Sequence, residues 1–322
     1  MPRFEIDEYT KAGLRSLVLK DRKNGARARI LPEYGGNIAG LTLHDGTDCL
    51  TVIDGYQTGE EAAEHKGYRG ALLFPFPNRI RDGRYSFREE EFQLPINRAK
   101  ENNAIHGFFT NQQFDTVRKQ ADDHSAELAL ATTYNGSYPG YPFKCEVTLC
   151  FQLSEDLSFS SSVSVTNLGE GVMPFGVGWH PYFSLSRPVD QLELKLPECD
   201  ILLLDERKLP LGERVRMEMF QSLSMVGCTE FDTAFALMEK YSEAVTVVYD
   251  PESKRSLELA QTVGKGGYNY LQVYIPADRG TIALEPMTCP ADSYNSGEGL
   301  IELGKGASNS CRFEVRLKRD ER

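Results

Sequence analysis

EVTLCFQLSEDLSFSSSVSVT, residues 146–166, carries the pattern that decides the fold. Val147, Leu149, Phe151 and Leu153 alternate with Thr148, Cys150 and Gln152. After Ser154-Glu155-Asp156, a second run begins in which Leu157, Phe159, Ser161, Val163 and Val165 alternate with serines and a threonine. Successive side chains of a strand point to opposite faces, so period two marks a strand with one face buried. Two such runs joined by three polar residues predict an antiparallel hairpin.

The alternation recurs in shorter form at 27–31, 126–134, 175–179, 191–196, 244–249, 271–275, 281–285 and 311–317. Turn formers such as Asn135-Gly136, Leu168-Gly169 and Asp278-Arg279-Gly280 punctuate it. Helical patterning is confined to 59–67 (GEEAAEHKG) and 213–222. Many strands without strand–helix alternation predict an all-β fold, a large antiparallel β-sandwich with few short helices. A chain of 322 residues is long enough for two domains, yet no repeat, low-complexity tract or linker interrupts the pattern. Single β-structures run past 200 residues, so residues 1–322 are read as one domain.

Lys and Arg number 36 against 47 Asp and Glu, a net charge of −11 that opposes attraction to nucleic acid or an anionic membrane. A neutral small molecule is the expected partner. No apolar run approaches the roughly 20 residues of a membrane helix, and the first 25 residues lack the apolar stretch of a signal peptide. Seven widely spaced cysteines, without a CxxC pair or a zinc-type Cys/His spacing, read as reduced thiols in a cytoplasmic protein and give no metal site. Monomer and homodimer are equally open.

Five places put polar side chains where a buried or concave face is expected. In FPFPNRIRDGRY, 74–85, Asn78 and Arg79 follow two prolines, and Arg79 offers a planar fork of donors. Taken alone, a surface arginine is the commoner role. In NNAIHG, 102–107, His106 sits in a polar loop, where a turn or capping role competes with catalysis. In FGVGWHPYF, 175–183, Phe175, Val177 and Trp179 form one face, while Gly176, Gly178 and His180 form the other. The glycines clear room for something to approach the backbone, and Pro181 ends the ladder just after His180. In TIALEP, Glu285 closes an otherwise uncharged strand, an expensive group to bury unless it is hydrogen-bonded or used. Gln272 occupies the polar face of the strand before it. Asp232, in FDTAF, is weaker, because an Asx turn explains it equally well.

Histidines, carboxylates, an amide and an arginine, with no phosphate loop or nucleophile elbow, are parts for general acid–base chemistry on a neutral polar ligand. PNRIRDGRY, NAIHG, GWHPYFSL, FDTAF, LQVY and LEPMTCPADSYNSGEGLIEL, in that order, resemble the aldose 1-epimerase (galactose mutarotase) family over essentially the whole chain. The resemblance implies the galactose mutarotase-like supersandwich, with a sugar bound in an open cleft. It also implies Glu285 as the general base at the anomeric hydroxyl and His180 as the general acid at the ring oxygen. Asn78, Arg79, His106, Asp232 and Gln272 fall on positions that hold the sugar. Phe108 and Ser184 stand where members commonly carry glycine and asparagine, which bears on sugar specificity. The segment EPMTCPADSYNSGEG is a further candidate to contact substrate.

Opening a cyclic hemiacetal takes a proton from O1 and gives one to O5; rotation about C1–C2 and reclosure then invert the anomer. A histidine with an ordinary pKa of about 6.5 is expected in both protonation states near neutrality, and burial is expected to raise Glu285. No cofactor is required. A free hexose such as glucose or galactose is the expected substrate. Other readings are a carbohydrate-binding or sugar-sensing protein without turnover, a glycosidase pairing Asp232 with Glu285, and an epimerase for a phosphorylated hexose using Arg69, Arg81 or Lys265.

Overall fold

The computed structural model describes residues 1–238 and 242–320. The deciding hairpin forms from strands Cys145–Ser154 and Ser158–Asn167, with Val147 opposite Val165 and Leu149 opposite Val163. It lies inside a nine-stranded sheet that runs from Asp115–Ala121 at one edge, through the long strand Ser308–Arg319, to Ser224–Met225 at the other. An eight-stranded sheet contains, in order from one edge, Pro210–Arg216, Cys199–Leu204, Asp232–Leu237, Tyr270–Tyr274 and Ile282–Met287, then Gly178–Trp179 and Leu72–Leu73. Tyr182–Phe183 pairs beside it on Ile282–Met287. A five-stranded meander, Phe4–Lys11 to Cys49–Asp54, packs against the nine-stranded sheet. Every ladder within these sheets is antiparallel.

The two large sheets meet through apolar faces. Trp179 of the eight-stranded sheet is fully buried and sets its ring edge-on to Phe151 and Phe313 of the nine-stranded sheet, with centroids 6.0 Å away in both cases. Burying an aromatic or aliphatic side chain of this size contributes about 1.5–3 kcal/mol before the entropy cost of ordering it. Strand alternation is what delivers these rings to one side.

Three expectations need correction. Residues 213–222 are not helical: Pro210–Arg216 is an edge strand paired with Cys199–Leu204. Its arginines pair with nearby carboxylates, Arg216 with Glu198 and Asp200 and Arg214 with Glu298. The helix at 59–67 stops at Glu64, where His65 takes a left-handed conformation (φ 38°), and a 3-10 turn follows. The strand at 175–179 is broken. Met173–Phe175 pairs with Ile301–Leu303, whereas Gly178–Trp179 pairs with Leu72–Leu73 and Met287. Among the described residues no helix is long and apolar enough to cross a membrane.

Candidate active site

Adjacent strands of the eight-stranded sheet bring three of the seven expected residues together by register. Gln272 is opposite both Glu285 and Ala234, and Asp232 is opposite Tyr274. Gln272 and Glu285 therefore lie side by side on the same face, with Asp232 two residues before Ala234. The break after Trp179 places His180 above this row. Its own N–H donates to Ala71 O (3.0 Å) and its carbonyl accepts from Gly70 N–H (2.9 Å).

The two glycines before His180 do make room for a close approach, but the visitor is protein. A Cβ on Gly178 would sit 2.9 Å from Pro77 Cβ, and one on Gly176 would overlap Cys289 Sγ. Pro77 thereby nests against the broken strand and carries Asn78 and Arg79 into the cleft. His106 enters from a facing loop. Its Nδ1 accepts from Asn78 N–H (3.1 Å) and its N–H donates to Asn78 O (2.8 Å). With Nδ1 committed as an acceptor, a neutral His106 carries its proton on Nε2.

A chain of hydrogen bonds then orients the polar groups. Arg79 Nη1 donates to Asn78 Oδ1 (2.9 Å), Asn78 Nδ2 to Gln272 Oε1 (3.2 Å), and Gln272 Nε2 to Asp232 Oδ1 (2.9 Å). Asp232 also meets Lys208 Nζ at 3.4 Å. At the end of the cleft His180 Nε2 lies 3.4 Å from Glu285 Oε1. All seven expected residues line one cleft of about 270 Å³.

Burial sets the protonation states. Both ionisable partners are almost fully enclosed, with side-chain exposures of 8% for His180 and 2% for Glu285. Loss of hydration lowers His180 to about 3 and holds it neutral. The same cause raises Glu285 well above the usual carboxylate range; the Asp232 charge adds to this and Arg79 opposes it. His106 is lowered well below its ordinary value, first by burial and then by His180 and Arg79. The expectation that His180 populates both forms near neutrality is thus overturned by desolvation. Burial thus disfavours the charged form of both groups, the imidazolium of His180 and the carboxylate of Glu285.

Three buried polar atoms here have no hydrogen-bond partner among the described residues: His180 Nδ1, Glu285 Oε2 and Arg79 Nε. Buried polar groups are normally paired, and a cluster of exceptions in one cleft is the mark of a polar ligand site.

Other residues follow only from the fold. Tyr68 packs edge-on against His106 (4.6 Å), and Tyr182 stacks on His180 (4.9 Å, 13°). Gly67, Tyr68, Arg98, Ile105, Tyr182 and Tyr274 complete the lining. Tyr182 and Tyr274 sit inside motifs already singled out, whereas nothing in the sequence marks Tyr68, a non-glycine residue with φ 54°. Phe108 and Ser184 do not line the cleft; Phe108 stacks on Tyr138 at 3.8 Å. The segment after Glu285 works from behind. Asp292 N–H donates to Arg79 O (2.6 Å), and its carboxylate holds Arg81 through the backbone N–H and the guanidinium. Arg81 also meets Asp205, and neither Arg81 nor Lys265 lines the cleft.

Comparison with known proteins completes the picture. The family model described as aldose 1-epimerase matches residues 16–316. The chain belongs to the aldose 1-epimerase family. It is 28% identical over 287 residues to the uncharacterized protein YihR of Escherichia coli, covering 87% of each chain. It is 26% identical to the galactose mutarotase of Rattus norvegicus, covering 71% of this chain and 70% of that one. Among solved structures, a galactose mutarotase-like protein from Clostridium acetobutylicum superposes with a TM-score of 0.86 at 22% identity, covering 99% of both chains. Membership makes the protein an isomerase of the epimerase type that acts on a sugar, built on the galactose mutarotase-like β fold.

Proposed function

We propose that the protein interconverts the α and β anomers of an aldohexose such as glucose or galactose, with Glu285 and His180 as the proton-transfer pair. The observation that carries this reading is the 3.4 Å approach of His180 Nε2 to Glu285 Oε1 in a cleft otherwise lined by hydrogen-bonding groups. A neutral imidazole with a carboxylic acid holds the same number of protons as an imidazolium with a carboxylate. Passing one proton across that gap arms the site without any exchange with solvent.

In the armed state Glu285 takes the proton from the anomeric hydroxyl as the C1–O5 bond breaks. The bonding electrons leave on O5, which His180 protonates, and C1 becomes an aldehyde. After rotation about C1–C2, O5 attacks the other face of C1, His180 recovers its proton, and Glu285 returns one to the carbonyl oxygen. Protons balance over the cycle. Each residue acts once as acid and once as base, so the reaction needs no cofactor. Arg79, Asn78, His106, Gln272 and Asp232 hold the hydroxyls, and the hydrogen-bond chain linking four of them limits the reorganisation needed when sugar binds.

One buried cluster runs from Phe4 to Leu317, which supports reading residues 1–322 as a single domain. Seven free cysteines support a reducing, cytoplasmic setting. The deciding experiment is anomer exchange of glucose and galactose, followed by NMR or polarimetry, in the wild type and in Glu285→Gln. Equal rates across the sugars would remove these residues from the reaction.

A further inference from the structure

The five-stranded meander carries a hollow of about 480 Å³ that shares no lining residue with the catalytic cleft. Leu17, Leu19 and Ala28 point into the core, so the residues that alternate with them point the other way and line the hollow. Register gathers cations there. Lys20 is directly opposite Arg27, Val18 is opposite Arg29, and Lys11 joins them from the first strand. Like charges facing each other across an antiparallel pair are destabilising, so this arrangement costs stability unless an anion offsets it. Gly40, opposite Arg29, puts no side chain into the space, and Thr42, opposite Arg27, sets its hydroxyl 3.0 Å from that of Thr51.

Protein groups leave these donors largely unused. Arg3, Arg15 and Arg22, in or beside the same meander, pair with Asp21, Glu8 and Glu5. Of the four cations in the hollow, only Lys20 has a carboxylate partner among the described residues, Asp7. Arg29 is braced by Nη2, which donates to Ala39 O (3.1 Å) and Tyr56 O (2.6 Å), while its Nε and Nη1 have no hydrogen-bond partner among the described residues. Asp54, the one carboxylate in the lining, accepts from Gln57 Nε2 (2.6 Å). Ser16 also lines the hollow; it is fully buried, and its Oγ has no partner among the described residues. Buried hydroxyls are normally paired, so this one is a second, independent sign of a polar ligand.

We propose that the hollow binds a small phosphate ester, at a site separate from the catalytic cleft and independent of the reaction carried out there. Charge selects the ligand. Lys11, Lys20, Arg27 and Arg29 exceed Asp7 and Asp54 by two positive charges, and a phosphate monoester carries about −1.5 to −2 near neutrality, whereas a single carboxylate carries −1. Guanidinium forks match the oxygens of a phosphate, and the hydroxyl of Ser16 adds a neutral donor. Volume selects the size. A space of about 480 Å³ falls within the roughly 300–1,000 Å³ of small-molecule sites and leaves room for the organic part of an ester. A chain of net charge −11 disfavours a nucleic acid or an anionic bilayer, either of which would also meet the acidic remainder of the surface.

Calorimetric titration of the full chain with inorganic phosphate, glycerol 3-phosphate and AMP, with acetate as a singly charged comparison, tests the site. At least one phosphate compound is expected to bind saturably and about tenfold or more tightly than acetate, the difference made by one further charge-assisted hydrogen bond. Arg27→Ala, at an exposed position, should weaken that binding about tenfold, and Ser16→Ala about two- to fivefold. Arg27→Ala should hold or raise the urea midpoint, because Lys20 loses a like-charged neighbour, so weaker binding reports the site and not unfolding. Arg79→Ala, in the catalytic cleft, should leave the Kd for phosphate unchanged. Binding that Arg79→Ala abolishes and Arg27→Ala spares places the ligand in the catalytic cleft and overturns the proposal. No saturable binding of any phosphate compound, acetate bound as tightly as phosphate, or attachment to phosphatidylserine vesicles without binding of a soluble phosphate overturns it equally.

Discussion

His180 Nε2 lies 3.4 Å from Glu285 Oε1, and the burial that isolates the pair pushes both groups towards their neutral forms. The two side chains come from different strand segments, 105 residues apart in sequence. Catalysis by such a pair is a joint property, and the following expectations derive from it.

Glu285→Gln keeps the shape of the side chain and removes its ability to accept a proton. General acid–base catalysis contributes about 10²–10⁴-fold, so kcat for anomer exchange is expected to fall by about that factor. The KM should change little, because the amide still fills the same space. Saturation-transfer NMR across the two anomers measures both quantities.

His180→Asn is expected to cost a similar factor, and the double variant with Glu285→Gln should be only slightly slower than either single one. Residues that pass a proton between them fail as a unit, so their effects do not add. Strictly multiplicative losses would mean that the two side chains act independently.

Stability against pH separates the two groups, because their shifts have opposite signs. His180 has a folded value near 3 against about 6.5 when unfolded. Above pH 6.5 neither state is protonated and the group is neutral to stability. As pH falls from 6.5 towards 3, the unfolded chain takes up the proton first, so stability drops by up to about 1.4 kcal/mol per pH unit. His106, also lowered, adds a loss of the same sign. In His180→Asn the urea midpoint should therefore fall less between pH 6.5 and 4 than in the wild type. Glu285 is raised, so below about pH 4.5 it is neutral in both states. As pH rises above that, the unfolded chain ionises first and the folded state loses ground. Glu285→Gln should accordingly gain stability relative to the wild type as pH rises from 4.5.

How much of this was legible in the sequence depends on which link of the argument is local. The hairpin at 146–166 could be read because one face of each strand is buried against the opposite sheet, which writes a period of two directly into the residues. Pro210–Arg216 could not, because an exposed edge strand has no apolar face and its charges serve partners in Cys199–Leu204 and at Glu298. Glu285 stood out as a charge in an apolar strand, whereas Tyr68 reaches the site only through a left-handed backbone turn that no residue pattern announces. The position of the proton was the least legible feature. It depends on how completely segments from Asn78 to Glu285 close over His180, a property of the assembled cleft.

Arg79 is a test of geometry over charge. Its Nη1 donates to Asn78 Oδ1 while its buried Nε has no partner among the described residues, so the guanidinium bridges the hydrogen-bond chain and the open cleft. Lysine preserves the charge but is a single point donor that cannot do both. Arg79→Lys is expected to raise the sugar KM about tenfold, with a smaller change in kcat. Steady-state exchange rates over a range of sugar concentrations resolve the two effects.

Gly107 holds His106 in place, and its replacement separates backbone strain from overlap. Gly107 has φ 66°, and a Cβ there would overlap the Phe74 carbonyl, which accepts from Phe108 N–H (3.0 Å). Gly212 has φ 81° with open space around it, so an added Cβ meets only the cost of the left-handed backbone. Gly212→Ala should lose about 1 kcal/mol, the penalty for an alanine in that conformation. Gly107→Ala must also push Phe74 or its own loop aside, adding roughly 1–3 kcal/mol. That displacement moves His106 away from the Asn78 backbone groups that orient it, so Gly107→Ala should also lose anomer-exchange activity at temperatures where it is still folded. Gly212→Ala should retain full activity. Urea midpoints measured beside exchange rates check both halves, and equal midpoints for the two variants would show that the loop yields without cost.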